Sequence, residues 1–202
     1  MWLCVTGPMA AGKNFASAIL EQRGFAVVDA DILAHGVVED CKAQIVEAFG
    51  ALARERHLEL LNGDGTVNRQ ALGKLVFADS ELLARQEAIV YPRINSLLDA
   101  FLSEHEGQDA AINATVLYKV PAITRMDAVL YIDATSSVRF ARVRKRNGMA
   151  EEQIRARFRS QRHLFSKYKS ANADIKKVWN IGTREGLERK IDRFLLEYRA
   201  RG

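Results

Sequence analysis

The sequence predicts an α/β fold: one domain with a five-stranded parallel sheet and helices packed on both faces, a three-layer arrangement. Three observations predict it. Five short apolar runs, at residues 2–6, 25–28, 110–114, 128–133 and 178–181, have strand length. Segments of helical periodicity separate them, with no internal repeats and no low-complexity stretches, and strands alternating with helices call for a parallel sheet. The first run leads straight into Gly-Pro-Met-Ala-Ala-Gly-Lys-Asn, Gly7 to Asn14, and this opens a helix. Strand, glycine-containing loop, Gly-Lys and helix is the layout of a phosphate-binding P-loop.

Each position of that stretch has a physical reason. Gly7 and Gly12 relieve crowding where the backbone turns its N–H groups inward. Those groups, with the positive end of the next helix, hold phosphate oxygens. Lys13 reaches the β- and γ-phosphates as a point charge. One position departs from the common pattern: Asn14 stands where Ser or Thr supplies a hydroxyl to Mg²⁺. An amide oxygen is a hard neutral ligand, so Asn14 remains a candidate for the metal.

The second strand runs into Asp29-Ala30-Asp31. Carboxylates at a strand's C-terminal end sit where an open α/β sheet places its site. One can cap the following helix while the other accepts a proton from a substrate hydroxyl. Asp31 is favoured for chemistry, and the residues by themselves leave both assignments open. A helix is expected over residues 32–50 with Ile45, Val46, Ala48 and Phe49 apolar, stopped by Gly50. Asn62-Gly63-Asp64-Gly65 is a turn. Asn68 caps a helix carrying Leu72, Leu75, Val76 and Phe77, and Asp79 or Ser80 starts another, which Tyr91-Pro92 breaks or kinks before a further helix to about Ser103. A helical block this long is no simple crossover, and reads as a substrate-binding insertion over about residues 40–105. Asn113 stands where P-loop enzymes carry a strand-end acid. Leu187, Ile191, Phe194 and Leu195 share one face of a last helix over 184–198.

At 202 residues the chain suits one well-buried domain. It has no apolar run of membrane-spanning length and no signal-peptide start, so a cytoplasmic protein without a membrane partner is expected. Cys4 and Cys41 make neither a disulfide framework nor a zinc site, and the four histidines have no metal-ligand spacing. The net charge of +5 is concentrated between Arg139 and Lys169. Arg139, Arg142 and Arg146 fall on one helical face by i, i+3 and i+4 spacing; a turn at Asn147-Gly148 and a second basic helix follow. Such a face can neutralise a transferring phosphoryl group, and the shape suggests a lid over about 139–170. For most of these arginines a solvated face with Glu151, Glu152 and Asp174 as partners is the plainer reading. No aromatic-interleaved platform or nucleic-acid motif accompanies them, so no nucleic-acid partner is expected.

Taken together, these residues resemble the dephospho-CoA kinase family over nearly the whole chain. The resemblance rests on the order and spacing of Gly7 to Asn14, Val28 to Asp31, Asp64 to Leu72, Val76 to Asp79, Tyr91 to Ile94, Val129 to Ala134, Arg142 to Met149 and Arg157 to Gln161. It implies a P-loop kinase fold with a helical CoA-binding region and a lid. It also implies transfer of the ATP γ-phosphoryl group to the ribose 3′-hydroxyl of dephospho-CoA, with Mg²⁺. On that basis Asp31, Lys13 and Arg142 are the expected catalytic residues. Gly7, Ala10, Ala11, Gly12, Lys13, Asn14, Phe15, Arg142 and Arg146 are the expected ATP contacts, and Asp31, Tyr91 and Pro92 the acceptor contacts. The chain departs from the family pattern at Asn14, at Asn113 for Asp, at Tyr91 for His, and at Thr115 and Lys119 for Pro and Glu. Two alternatives stand beside this expectation: a related kinase acting on a nucleoside monophosphate, and a nucleotide-binding regulatory protein with a weakened metal site. The sequence gives no oligomeric state.

Overall fold

The computed structural model describes residues 1–147, 149–171 and 174–200, the side chains of Arg146 and Asn147 excepted. Its contacts divide the chain into two compact units: Ala30–Ala100, and the remainder.

The larger unit holds the sheet. Its strands are β1 (Trp2–Thr6), β2 (Ala26–Asp29), β3 (Ala110–Asn113), β4 (Ala128–Asp133) and β5 (Ile175–Trp179), in the order β2-β3-β1-β4-β5. All pairings are parallel. Leu3, Cys4 and Val5 of β1 are fully buried, the unbroken apolar run expected of a strand covered on both faces. Helix α1 (Lys13–Gln22) buries Ile19 and Leu20, and the chain-terminal helix, Arg184–Arg199, buries Leu187, Ile191, Phe194 and Leu195 in the same core. Removing any of these large side chains costs about 2–5 kcal/mol, because a close-packed core relaxes only partly around a cavity.

The register sets the site's floor. Val5 and Asp29 both pair with Asn113, so the carboxyl ends of β1, β2 and β3 stand level. The chain leaves β1 toward one edge of the sheet and β4 toward the other. The carboxyl ends of β1 and β4 therefore frame the crevice where open parallel sheets bind ligands.

The second unit is helical. It contains α2 (Ala30–Asp40), α3 (Lys42–Glu55), α4 (Arg69–Val76) and most of α5 (Ser80–Glu104). Asn68 caps α4 as expected, its side chain accepting from the Ala71 N–H at 3.0 Å. Asp79 caps α5, accepting from Glu81 N at 2.8 Å. Three expectations are corrected. The single helix over 32–50 is two helices broken at Cys41, and Gly50 lies inside α3, where the buried Ile45, Phe49 and Ala53 carry the helix on to Glu55. Phe77 is 78% exposed and adds nothing to the core. Tyr91-Pro92 does not break α5. An interior proline costs about 3 kcal/mol. Val90, Ile94, Leu98 and Leu102 are all buried at four-residue spacing, each worth about 1.5–3 kcal/mol, and their sum wins.

Among the described residues three helices, rather than two, lie between β4 and β5: α6 (Ser136–Asn147), α7 (Glu151–Ser160) and α8 (Leu164–Ser170). The last is anchored by Tyr168, which is fully buried, accepts from Leu117 N at 2.9 Å and donates to Ala114 O at 3.3 Å. The chain-terminal helix becomes α9, with Thr183 accepting from Gly186 N at its start.

Candidate active site

The loop between β1 and α1 is shaped by close approach. A side chain on Gly7 would collide with the carbonyl of Ile132 in β4, and one on Gly12 with the amide nitrogen of Asn180. Both have positive φ, as does Ala10 at 62°, a conformation that costs a residue with a Cβ about 1–2 kcal/mol. Gly12 is the residue from which α1 starts, so the first N–H groups of a ten-residue helix face the loop.

The carbonyl side of the loop is held by two side chains. Arg142, on α6, donates through Nη1 to Ala10 O and Ala11 O, both at 3.2 Å, and through Nη2 to Asn180 O at 2.9 Å. Asn180, just past β5 and 8% exposed, donates its amide to Ala11 O at 2.8 Å. Gln161, at the end of α7, accepts the Met9 N–H at 2.7 Å. Lys13 Nζ donates to Thr115 Oγ1 at 2.6 Å, and the backbone on both sides of Thr115 is the stretch that Tyr168 grips.

At the strand ends, Asn113 Nδ2 donates to Asp29 Oδ2 at 2.9 Å and to Asn14 Oδ1 at 3.3 Å. This orientation is assigned from the network, and the reverse would set an amide oxygen against two other oxygens. Asn113 is 2% exposed, and its Oδ1 has no hydrogen-bond partner among the described residues. Among the described residues no three His, Cys, Asp or Glu side chains cluster as a metal site. The donors that are present, one carboxylate and two amides, are hard oxygens of the kind Mg²⁺ takes, with a single formal charge among them. They fit an ion that draws its remaining ligands from phosphates and water.

The structure thus brings Gly7, Ala10, Ala11, Gly12, Lys13, Asn14 and Arg142 together in the sheet unit, with Phe15 under the guanidinium of Arg184 at 4.5 Å from its ring centre. Arg142 touches the loop's carbonyls. Arg139 does not join it: its guanidinium stacks 4.2 Å from the Phe158 ring centre and its Nε donates to Ala134 O, and burial holds its pKa below the usual value. Three residues of helix rotate the two arginines about 60° apart, enough to turn one toward the loop and the other toward α7. Arg155 pairs with Glu151 at 2.5 Å, the plain solvated pairing expected for this stretch. The Arg146 side chain lies outside the described residues.

Asp31, Tyr91 and Pro92 belong to the helical unit. Asp31 is in the first turn of α2, and Tyr91 donates to Glu87 Oε1 at 3.0 Å. Over the two turns after Asp31 on the same helix, Ile32, His35 and Glu39 line a cleft of about 740 Å³ with Asn68, Arg69 and Gln70. Two site residues escaped the sequence reading. Asn180 sits at a strand end like the acids that were sought there, and that position was the available signal. Gln161 lay inside a segment of family resemblance with no chemistry attached to it.

A parallel sheet of this order with a phosphate loop after its first strand, an arginine clasping that loop and basic helices after β4 defines a P-loop kinase. The dephospho-CoA kinase family model matches residues 1–180. Dephospho-CoA kinase of Treponema denticola is 35% identical over 98% of this chain and 89% of its own length. The crystal structure of TT1252 from Thermus thermophilus superposes with a TM-score of 0.80 at 30% identity, covering 98% of this chain and 97% of that one. Dephospho-CoA kinase from Campylobacter jejuni shares the fold at a TM-score of 0.62 and 20% identity, over 98% of this chain and 96% of its own. The chain belongs to the dephospho-CoA kinase family.

Proposed function

We propose that the protein transfers the γ-phosphoryl group of ATP to the ribose 3′-hydroxyl of dephospho-CoA, the last step of coenzyme A synthesis, in the cytoplasm. The observation that carries this reading is the intact phosphate loop, with glycines at the two positions that have no room for a side chain and Lys13 in the first turn of α1. The loop's N–H groups and Lys13 hold the β- and γ-phosphates. Asn14 and Asp29 are the residues that would hold Mg²⁺, which when bound offsets phosphate charge. Asp31 accepts the proton of the 3′-hydroxyl as its oxygen bonds to the γ-phosphorus and the bond to the ADP oxygen breaks. Tyr91, Pro92 and the cleft along α2 serve the acceptor. The cleft's volume, within the usual range for a small-molecule site, and its mixed lining of Ile32 with Glu39, Asn68, Arg69 and Gln70 suit a long amide-bearing molecule. Helices α6 and α7 act as the lid that excludes water.

The test is coupled ADP release from Mg-ATP with dephospho-CoA, a panel of nucleoside monophosphates, or no acceptor. Dephospho-CoA-dependent release with coenzyme A as product is expected. Preferred turnover of a nucleoside monophosphate overturns the acceptor. ATP binding without turnover on any acceptor makes the protein a nucleotide-responsive regulator.

A further inference from the structure

A loop that offers its N–H groups to phosphate must find donors for the carbonyls it turns outward. Here those donors are Arg142 and Asn180. Ala11 O receives two of them, Nη1 of Arg142 at 3.2 Å and Nδ2 of Asn180 at 2.8 Å. A trans peptide points its N–H opposite its carbonyl, so pinning Ala11 O on the outer side aims the Gly12 N–H into the loop. The pin is itself pinned: Asn180 N donates to Asp133 O at 2.7 Å, and Asn180 O accepts from Arg142 at 2.9 Å. Asn180 is almost fully buried, and its amide nitrogen fills the space a side chain on Gly12 would need. Three of the five N–H groups of Arg142 are spent on backbone oxygens, with Ala10 O taking the third.

We propose that Asn180 and Arg142 form one clamp on the carbonyl side of the phosphate loop, and that Arg142 acts on bound nucleotide through the loop rather than by touching the transferring phosphoryl group. Asn180 is a positioning residue for nucleotide binding. The inference rests on the nucleotide-binding reading and is independent of the acceptor.

A clamp acting through the loop affects every ligand the loop holds. Asn180→Ala and Arg142→Lys, measured by calorimetric titration of ADP and of a non-hydrolysable ATP analogue, should each weaken both ligands by the same factor, about tenfold for the loss of one buried hydrogen bond. Turnover at saturating ATP should fall by less than affinity does. The double variant should lose no more than the worse single variant, because each half of the clamp needs the other. Additive losses, or a loss confined to turnover and to the ATP analogue with ADP affinity intact, would overturn the proposal. If Asn180→Ala fails to fold, Arg142→Lys, on a half-buried side chain, decides between the same outcomes through the ADP-to-ATP comparison alone. Failure of the unaltered protein to bind ADP would sink the nucleotide-binding reading instead, so the two failures are distinguishable.

Discussion

Ala10 shows how a single residue carries the cost of the site. Its φ of 62° is left-handed, and unlike Gly7 and Gly12 it has a Cβ to strain. Glycine at this position removes a strain of about 1–2 kcal/mol and adds unfolded-state entropy worth about 0.5–1 kcal/mol. Ala10→Gly should therefore stabilise the protein by up to about 1.5 kcal/mol, read from the denaturant midpoint at constant slope; a lowered midpoint would show that the clamp, not the residue, sets the conformation. Asn113 makes a related point. It donates both to Asn14 in the first turn of α1 and to Asp29 at the end of β2, so one amide group meets an oxygen from each element. A carboxylate there would repel Asp29 unless a cation lay between them.

Between elements, Asp109 joins three parts of the sheet unit. Its carboxylate, just before β3, meets the N-terminal ammonium ahead of β1 at 2.9 Å and Arg199 at the end of α9 at 2.6 Å. Burial pushes the carboxyl's pKa up, but the hydrogen bonds and charges of the ammonium and Arg199 together outweigh it and hold it below the ordinary value. A carboxyl with a depressed folded pKa contributes stability above its unfolded pKa near 4 and loses it as the pH falls through the folded value. Stability should thus fall in the acid range below about pH 4, and Asp109→Asn should flatten that part of the profile while lowering stability at neutral pH. An unchanged acid slope in urea titrations of the variant would remove Asp109 from the account. At the same scale, α5 shows which sequence signals are weak. Pro92 is a local breaker, yet the helix continues because four buried side chains one turn apart act together.

For the whole molecule, binding to the folded state alone must raise stability by mass action. ADP at a hundred times its dissociation constant should add about 2.7 kcal/mol, which for a chain of 202 residues is a rise in melting temperature of roughly 5–11 °C. Lys13→Ala should abolish most of that rise while leaving the ligand-free melting temperature close to its original value, since Lys13 is half-buried and outside the core. A full ADP shift in this variant would place nucleotide binding elsewhere.

Much of this protein was readable in order along the chain. Apolar runs of strand length, helical periodicity and the Gly7 to Asn14 spacing determined the parallel sheet, the loop and the identity of Lys13, because each signal is local and its physics acts between near neighbours. Tertiary structure alone decided the rest. Asn180 and Ala11 are 169 residues apart in sequence, Gln161 and Met9 152, and Asn113 and Asp29 84. No periodicity records such a meeting; it follows from strand order and register. Arg142 and Arg139 look alike in the sequence, and the packing of α6 turned one to the phosphate loop and the other onto an aromatic ring. The helix that runs past Pro92 was decided in the same way, by the burial its neighbours found on folding.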